Sequence, residues 1–267
     1  MISFTAAGAV ATPVALQVRV TAAHPDRISA GAPVPRRDLT AEEVVENLRW
    51  FTAGRQGPRV SPCTQLVLTG VLDDRPDLLA AVKQGRAWGI ERVVLHGASE
   101  DGALTAAADA VIHKVESEGT ALNAAGASVV VPLCDERWHL WMGALLAARP
   151  RRVVFTYPFP PGPLLPLPSL FSTLPRVILA LTEAGVEAGL KGLPACVVPG
   201  LSPDWVWRTQ NRFYVDADHQ GEQALLFFPD IVRWAKSDVC RYCPHDLRCD
   251  GVAEPWLSQL GPLGWPV

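Results

Sequence analysis

Cys240, Cys243 and Cys249 stand within ten residues of one another in VCRYCPHDLRCDG (239–251), in the spacing Cys-x2-Cys-x5-Cys. Thiolates are soft ligands, and they select zinc or iron–sulfur clusters over hard cations. Either group ordinarily takes four protein ligands, and this run supplies three. The candidates for the fourth are Cys196, His245, Cys134 and Cys63. Cys196 sits in PACVVPG, before a Pro-Gly turn that can face an adjoining C-terminal segment. His245 lies inside the run and would make a Cys3His zinc site. Cys63 and Cys134 each border an apolar strand pattern, where a half-buried thiol is the plainer reading.

Other constellations carry less. Arg212, Asp216, Asp218 and His219 crowd into WRTQNRFYVDADHQGEQALLFFPD (207–230) and have the chemistry to contact a ligand or partner. A capped loop, with Asp218 as the cap of a helix from 222, explains them more simply. Asp135 and His139 share a helical i,i+4 spacing, which a first-turn acid and a surface histidine explain. No Gly-x-Gly-x-x-Gly follows a strand, no phosphate loop occurs, and no Gly-x-Ser-x-Gly elbow is present.

The elements that must position these residues follow from hydrophobic patterning. VALQVRV (14–20), QLVLTG (65–70), ERVVLHG (91–97), ASVVVPL (127–133), RRVVFTY (151–157) and LPACVVPG (193–200) read as about six strands. Helical patterns separate them. LTAEEVVENLRWF (39–51) has Thr40 and Glu43 at capping-box spacing. DDRPDLLAAVKQGRAWG (73–89) has an acidic, proline-bearing start and a glycine stop. DGALTAAADAVIHKVESEG (101–119), DERWHLWMGALLAAR (135–149) and SLFSTLPRVILALTEAG (169–185) are also helical in pattern, and the tail is irregular apart from 222–236. Alternation of this kind implies parallel strands and right-handed crossovers, an α/β protein built as a partial barrel or as an open doubly wound sheet. The 267 residues, 49% of them hydrophobic, suffice for one large domain or a domain with an appendage. A net charge of −3 offers no basic surface for nucleic acid or anionic membrane. The N-terminus reads as carrying no signal peptide, and no apolar run reaches the roughly 18 residues of a membrane span, so a cytoplasmic location is expected.

The tail resembles that of radical S-adenosylmethionine (SAM) enzymes that carry an auxiliary cluster. In those tails a cysteine after the last barrel strand precedes Cys-x2-Cys-x5-Cys and a glycine, matched here by Cys196, then Cys240, Cys243 and Cys249, then Gly251. QLVLTGVLDDRPDLLAAVKQGRAWGIERVVLHG and the pair SVVVPL and RRVVFTYPFP are similar, at the level of pattern, to barrel segments of the same enzymes. The resemblance spans most of residues 14–260, and only the tail motif is specific. It implies a partial (β/α)6-type TIM-like barrel over 1–200, a cysteine-rich extension over 201–267, and a [4Fe–4S] cluster held by Cys196, Cys240, Cys243 and Cys249.

Two departures accompany it. The family's Cys-x3-Cys-x2-Cys loop after the first strand holds the cluster that binds and reduces SAM; here its register falls on His24, Ile28 and Gly31. The family's Gly-Gly-Glu-Pro segment, which contacts the amino group of SAM, reads Gly70, Val71, Leu72, Asp73. The middle of the chain also falls one βα unit short, between ERVVLHG and ASVVVPL. The resemblance therefore implies a degenerate radical SAM-like iron–sulfur protein that has lost radical initiation and has no expected use for SAM. Its expected role is a non-catalytic partner of an active radical SAM homologue or modifying enzyme, or of a peptide or protein substrate, as an interaction surface or electron relay. Two other classes compete. One is a zinc-stapled interaction protein, with Cys240, Cys243, Cys249 and either Cys196 or His245 as ligands. The other is an enzyme of a different kind, using His24, Asp73, Asp74 and His96 at the barrel mouth.

Overall fold

The computed structural model describes residues 15–22, 36–55, 62–72, 75–97, 102–114, 127–133, 136–157, 167–208, 213–227 and 234–253. They divide into two compact units, one of residues 1–112 with 210–231 and the other of 113–209 with 232–267. The stretch expected as an extension, 201–267, is thus shared between them. Among the described residues no helix is long and apolar enough to cross a membrane.

In the first unit β1 (Ala15–Arg19) pairs in parallel with β2 (Gln65–Thr69), and β2 with β3 (Arg92–His96). Next to β3 lies β4 (Ala110–Lys114), while the outer edge of β1 takes β8 (Phe213–Val215), again in parallel. Strands that neighbour each other in chain order, joined by right-handed crossovers, carry all their helices on one face. The core shows this. Leu16 and Val18 of β1, Leu66 and Leu68 of β2, Val93 and Leu95 of β3, and Phe213 and Val215 of β8 pack with Val44, Leu48 and Phe51 of α1 (Ala41–Thr52) and Leu78, Ala81 and Val82 of α2 (Asp77–Ala87).

Helix α1 begins where expected. The Thr40 hydroxyl accepts from Glu43 N at 3.2 Å, and the Glu43 carboxylate accepts from Thr40 N at 2.9 Å. The same carboxylate takes a forked pair of bonds from Arg37 and one from Gln220. Chiefly the Arg37 bonds, against the opposing effect of burial, hold its pKa down at about 2.

The second unit repeats the pattern. Parallel strands β5 (Ser128–Pro132), β6 (Arg152–Thr156) and β7 (Glu187–Lys191) lie in chain order. Val129 and Val131, Val153 and Phe155, and Ala188 and Leu190 share one core with Leu145 of α4 (Met142–Ala148), Leu170 of α5 (Leu167–Phe171) and Leu174, Ile178 and Leu181 of α6 (Leu174–Glu183). Trp138 meets Phe155 edge-on at 5.7 Å. The outer edge of β7 carries one further parallel bridge, Leu190 to Val206. Among the described residues no strand pairing closes a barrel.

Several elements depart from the sequence expectation. The helix expected over 101–119 is one turn, α3 (Ala103–Ala106), followed by β4. Alanine favours helix, but β3 has an open edge, and Asp109 anchors the turn to it by accepting from Val93 N and Arg86. Val111 and Ile112 then continue along Leu95 and His96. This strand accounts for the unit that seemed missing from the pattern. Residues 136–141 open the next helix as a 3-10 turn. LPACVVPG, read as a strand, is a loop with a 3-10 turn at Ala195–Val197, and the strand is β7 just before it. The tail, read as irregular until 222, contains β8. Its helix α7 (Glu222–Phe227) is shorter than expected, and β9 (Trp234–Ala235) occupies the end of that pattern.

Candidate metal centre

Cys196 and the three tail cysteines come from two segments of the second unit. Beyond β7 the chain enters the 3-10 turn with Val197 and Val198 in the core, which leaves Cys196 on the exposed side. The tail segment is held at both ends by an antiparallel pair, β9 with β10 (Val252–Ala253), and the β10 residues are buried in the same core. The loop between them is a chain of tight turns. Cys240 N donates to Ser237 O, Cys243 N to Cys240 O, Asp246 N to Cys243 O and Cys249 N to Asp246 O, at 2.9–3.4 Å. Every cysteine therefore stands at the corner of a turn. Lys236 braces the loop from inside, donating to the Asp246 carbonyl at 2.6 Å and its carboxylate at 2.8 Å. Gly251 closes it at φ +91°, where any Cβ would collide with the Ala235 carbonyl.

The tail sulfurs act on Cys196. The Cys196 thiol is pushed up to about 11, first because the protein around its sulfur disfavours the thiolate, then by the nearby charges of Cys249, Cys240 and Cys243. Burial also raises Cys249, with smaller pushes from Asp250 and Cys240, while the Gly251 amide and Lys236 pull it back. Gly251 N donates to Cys249 Sγ at 3.3 Å, and Ser237 Oγ lies 3.6 Å from Cys240 Sγ. Crowded thiolates repel, and a bound cation relieves that repulsion as it displaces their protons. In donor type the four residues suit a thiolate-ligated group. Among the described residues, no group of three or more His, Cys, Asp or Glu side chains is placed so that it could hold a metal ion.

An open depression of about 210 Å3, counting space continuous with solvent, reaches Cys249 between Trp207, Arg208, Trp234 and Asp250. Arg208 pairs with Asp250 at 2.8 Å, and the Arg152 guanidinium lies 5.2 Å from the centre of the Trp207 ring. Around the loop Val239, Tyr242 and Leu247 are exposed, the last two to 78% and 89%.

Comparison with protein-family models and with curated proteins returns no match.

The remaining candidates separate. Cys63 is buried in the apolar core of the first unit, which pushes its thiol up to about 12. His245 is exposed between the two turns of the cysteine loop, and His139 is exposed on its 3-10 turn. His24, Ile28, Gly31, Asp73, Asp74, Cys134, Asp135 and Arg212 lie outside the described residues, as do Trp256 and Trp265. Gly70, with φ +136°, lies against Thr21 so closely that a Cβ would strike its hydroxyl, and Val71 N donates to that hydroxyl at 3.0 Å. The turn expected to be capped by Asp218 is built by Asp216 instead. Its Oδ1 accepts from Asp218 N and His219 N at 2.9 and 2.8 Å and lies 3.0 Å from His219 Nδ1. Of the buried polar residues at the ends of β1, β2, β3 and β8, the sequence marked His96 and Asp216 but not Gln17, Arg19 or Thr69. Strand patterns that end on polar residues, as in LQVRV, QLVLT and RVVLH, were the signal for them.

Proposed function

We propose that this chain is an iron–sulfur protein of radical SAM-like descent that no longer initiates radicals and serves as a non-catalytic partner subunit. In this reading Cys196, Cys240, Cys243 and Cys249 hold one [4Fe–4S] cluster on a partial TIM-like barrel, which has eight parallel strands among the described residues rather than the six expected. The observation that carries it is the placement of Cys196 close enough to the three tail cysteines, far away in sequence, for their charges to raise its pKa. The single-faced placement of helices in each unit supports the barrel part, because a doubly wound sheet would cover both faces.

When bound, such a cluster supplies one-electron transfer. The chain's own residues would tune and present it. The Gly251 amide stabilises negative charge on the Cys249 sulfur, and Lys236 adds to that effect. The depression at Trp207 and Arg208 leaves a way to Cys249 from outside. The exposed Tyr242 and Leu247 are available to a partner, here taken to be an active radical SAM homologue, a modifying enzyme or its peptide or protein substrate. SAM has no role in this reading, because His24, Ile28 and Gly31 stand in the register of the family's cluster-binding cysteines.

The test is anaerobic purification with iron, sulfide and zinc counted per chain, alongside an absorbance spectrum. About four irons and four sulfides, with broad absorbance that the Cys196→Ala variant loses, are expected. One zinc without iron would replace the redox reading with a metal-stapled scaffold, since zinc has no redox chemistry. Iron in clear excess of four would mean that a second cluster exists and that radical initiation was not lost.

A further inference from the structure

Side chains alternate across a strand, so the residues between the core positions of the first unit point to the opposite face of its sheet. Towards the strand starts that face is apolar, with Ala15, Val67 and Val94. Towards the strand ends it is polar. Arg19, Thr69 and His96 stand side by side in register on β1, β2 and β3, and Gln17 is opposite Tyr214 on β8. Asp216 is the first residue after β8, where continued alternation from Tyr214 would put it on the same face. All six are buried, none more than 3% exposed.

A buried face of six different polar groups is costly unless each finds partners. Two atoms have none among the described residues, the Thr69 hydroxyl and Asp216 Oδ2. The other Asp216 oxygen is fully engaged in its turn, so the carboxylate is held with Oδ2 as its spare acceptor. The ends of parallel strands are where α/β proteins bind small ligands.

The geometry points to a small-molecule site on this face, separate from the cysteine centre, for a neutral polyhydroxylated ligand. Oδ2 only accepts hydrogen bonds, the Arg19 guanidinium only donates, and the Thr69 hydroxyl does either. The face thus offers both donors and acceptors, and His219 Nδ1 lies 3.0 Å from the engaged Asp216 oxygen. A hydroxyl meets this set because it donates and accepts at once. Vicinal hydroxyls would donate to Asp216 Oδ2, exchange with Thr69 and accept from Arg19.

The test uses the full chain, titrated calorimetrically with myo-inositol, D-glucose and, as a zwitterionic comparator, L-alanine. Thr69→Val removes the hydroxyl while keeping the branch at Cβ. Asp216→Asn keeps the Oδ1 acceptor and turns the spare oxygen into a donor. Saturable binding of at least one polyol is expected, weakened about tenfold or more in each variant, the scale of one lost hydrogen bond. Thr69→Val should meanwhile keep or raise the thermal midpoint, because no described partner loses a bond. Three results would overturn the site: no saturable binding of either polyol, binding of L-alanine alone, or polyol binding left unchanged by Thr69→Val.

Discussion

Cys63 and Cys196 carry the same group in two settings, and both settings favour the thiol over the thiolate. Burial alone acts on Cys63, whereas the neighbouring cysteines add their charges at Cys196. The folded values, about 12 and about 11, lie above the ordinary 9.0. Between the ordinary and the folded value the unfolded chain binds fewer protons, so folding loses stability as pH rises. The metal-free chain should therefore hold full stability below about pH 9 and lose it progressively between about 9 and 12. Urea denaturation at pH 7 and pH 10.5 measures this, and Cys63→Ala should flatten the dependence. A midpoint that does not move in the unsubstituted chain would mean that the buried setting of Cys63 does not hold back its thiolate. Glu43 behaves oppositely, since its depressed carboxyl contributes stability above the ordinary 4.5 that is lost as pH falls towards about 2.

Helix α1 and the loop after β8 form one connected piece. Asn47 Nδ2 donates to Gln220 Oε1 at 3.0 Å, Gly221 N donates to Asn47 Oδ1 at 2.9 Å, and Gln220 reaches Glu43 of the capping box. Thr40→Ala removes the cap acceptor and should cost about 1 kcal/mol of stability in chemical denaturation. Asn47→Ala breaks bonds in a part-buried network and should cost about 1–3 kcal/mol. The β9–β10 pair plays the corresponding role for the cysteine loop. Gly251→Ala puts a Cβ against the Ala235 carbonyl at a left-handed φ, which should cost more than about 1 kcal/mol. If the cysteines hold the proposed group, it should also lower the metal retained per chain, read by elemental analysis after gel filtration. Full metal content in that variant would show that the loop does not depend on its closing turn.

At the scale of the molecule the chain passes between units after residues 112, 209 and 231. Its third segment, 210–231, returns β8 to the edge of β1 and sets Phe213 5.1 Å from Phe51, ring centre to ring centre. A chain ending at 231 loses the three tail cysteines but keeps this strand. A chain ending at 209 loses both and uncovers the edge of β1. The shorter chain should lose the cooperative unfolding of the first unit, whereas the longer one keeps it, as followed by hydrogen exchange of the β1 and β2 amides. Protection of β1 in the shorter chain would show that β8 is dispensable.

Local chemistry made several features legible without a structure. Strands read as apolar or alternating runs, so β1, β2, β3, β5 and β6 announce themselves, and the box at Thr40 and Glu43 marks the start of α1 residue by residue. The spacing of Cys240, Cys243 and Cys249 belongs to the same class, because ligands on one short loop are bound together by the chain itself. Tertiary structure decided the rest. β4 is a strand because β3 offers it an edge, although the alanine-rich residues just before it favour helix. β7 carries Gly189 where a larger residue would strike the Trp207 ring, so its apolar pattern is weak. β8 has only three residues, and its partner β1 lies near the other end of the chain. The approach of Cys196 to the tail cysteines, and the gathering of Arg19, Thr69, His96 and Asp216 on one face, depend on strand order and register, which arise only when distant segments pack.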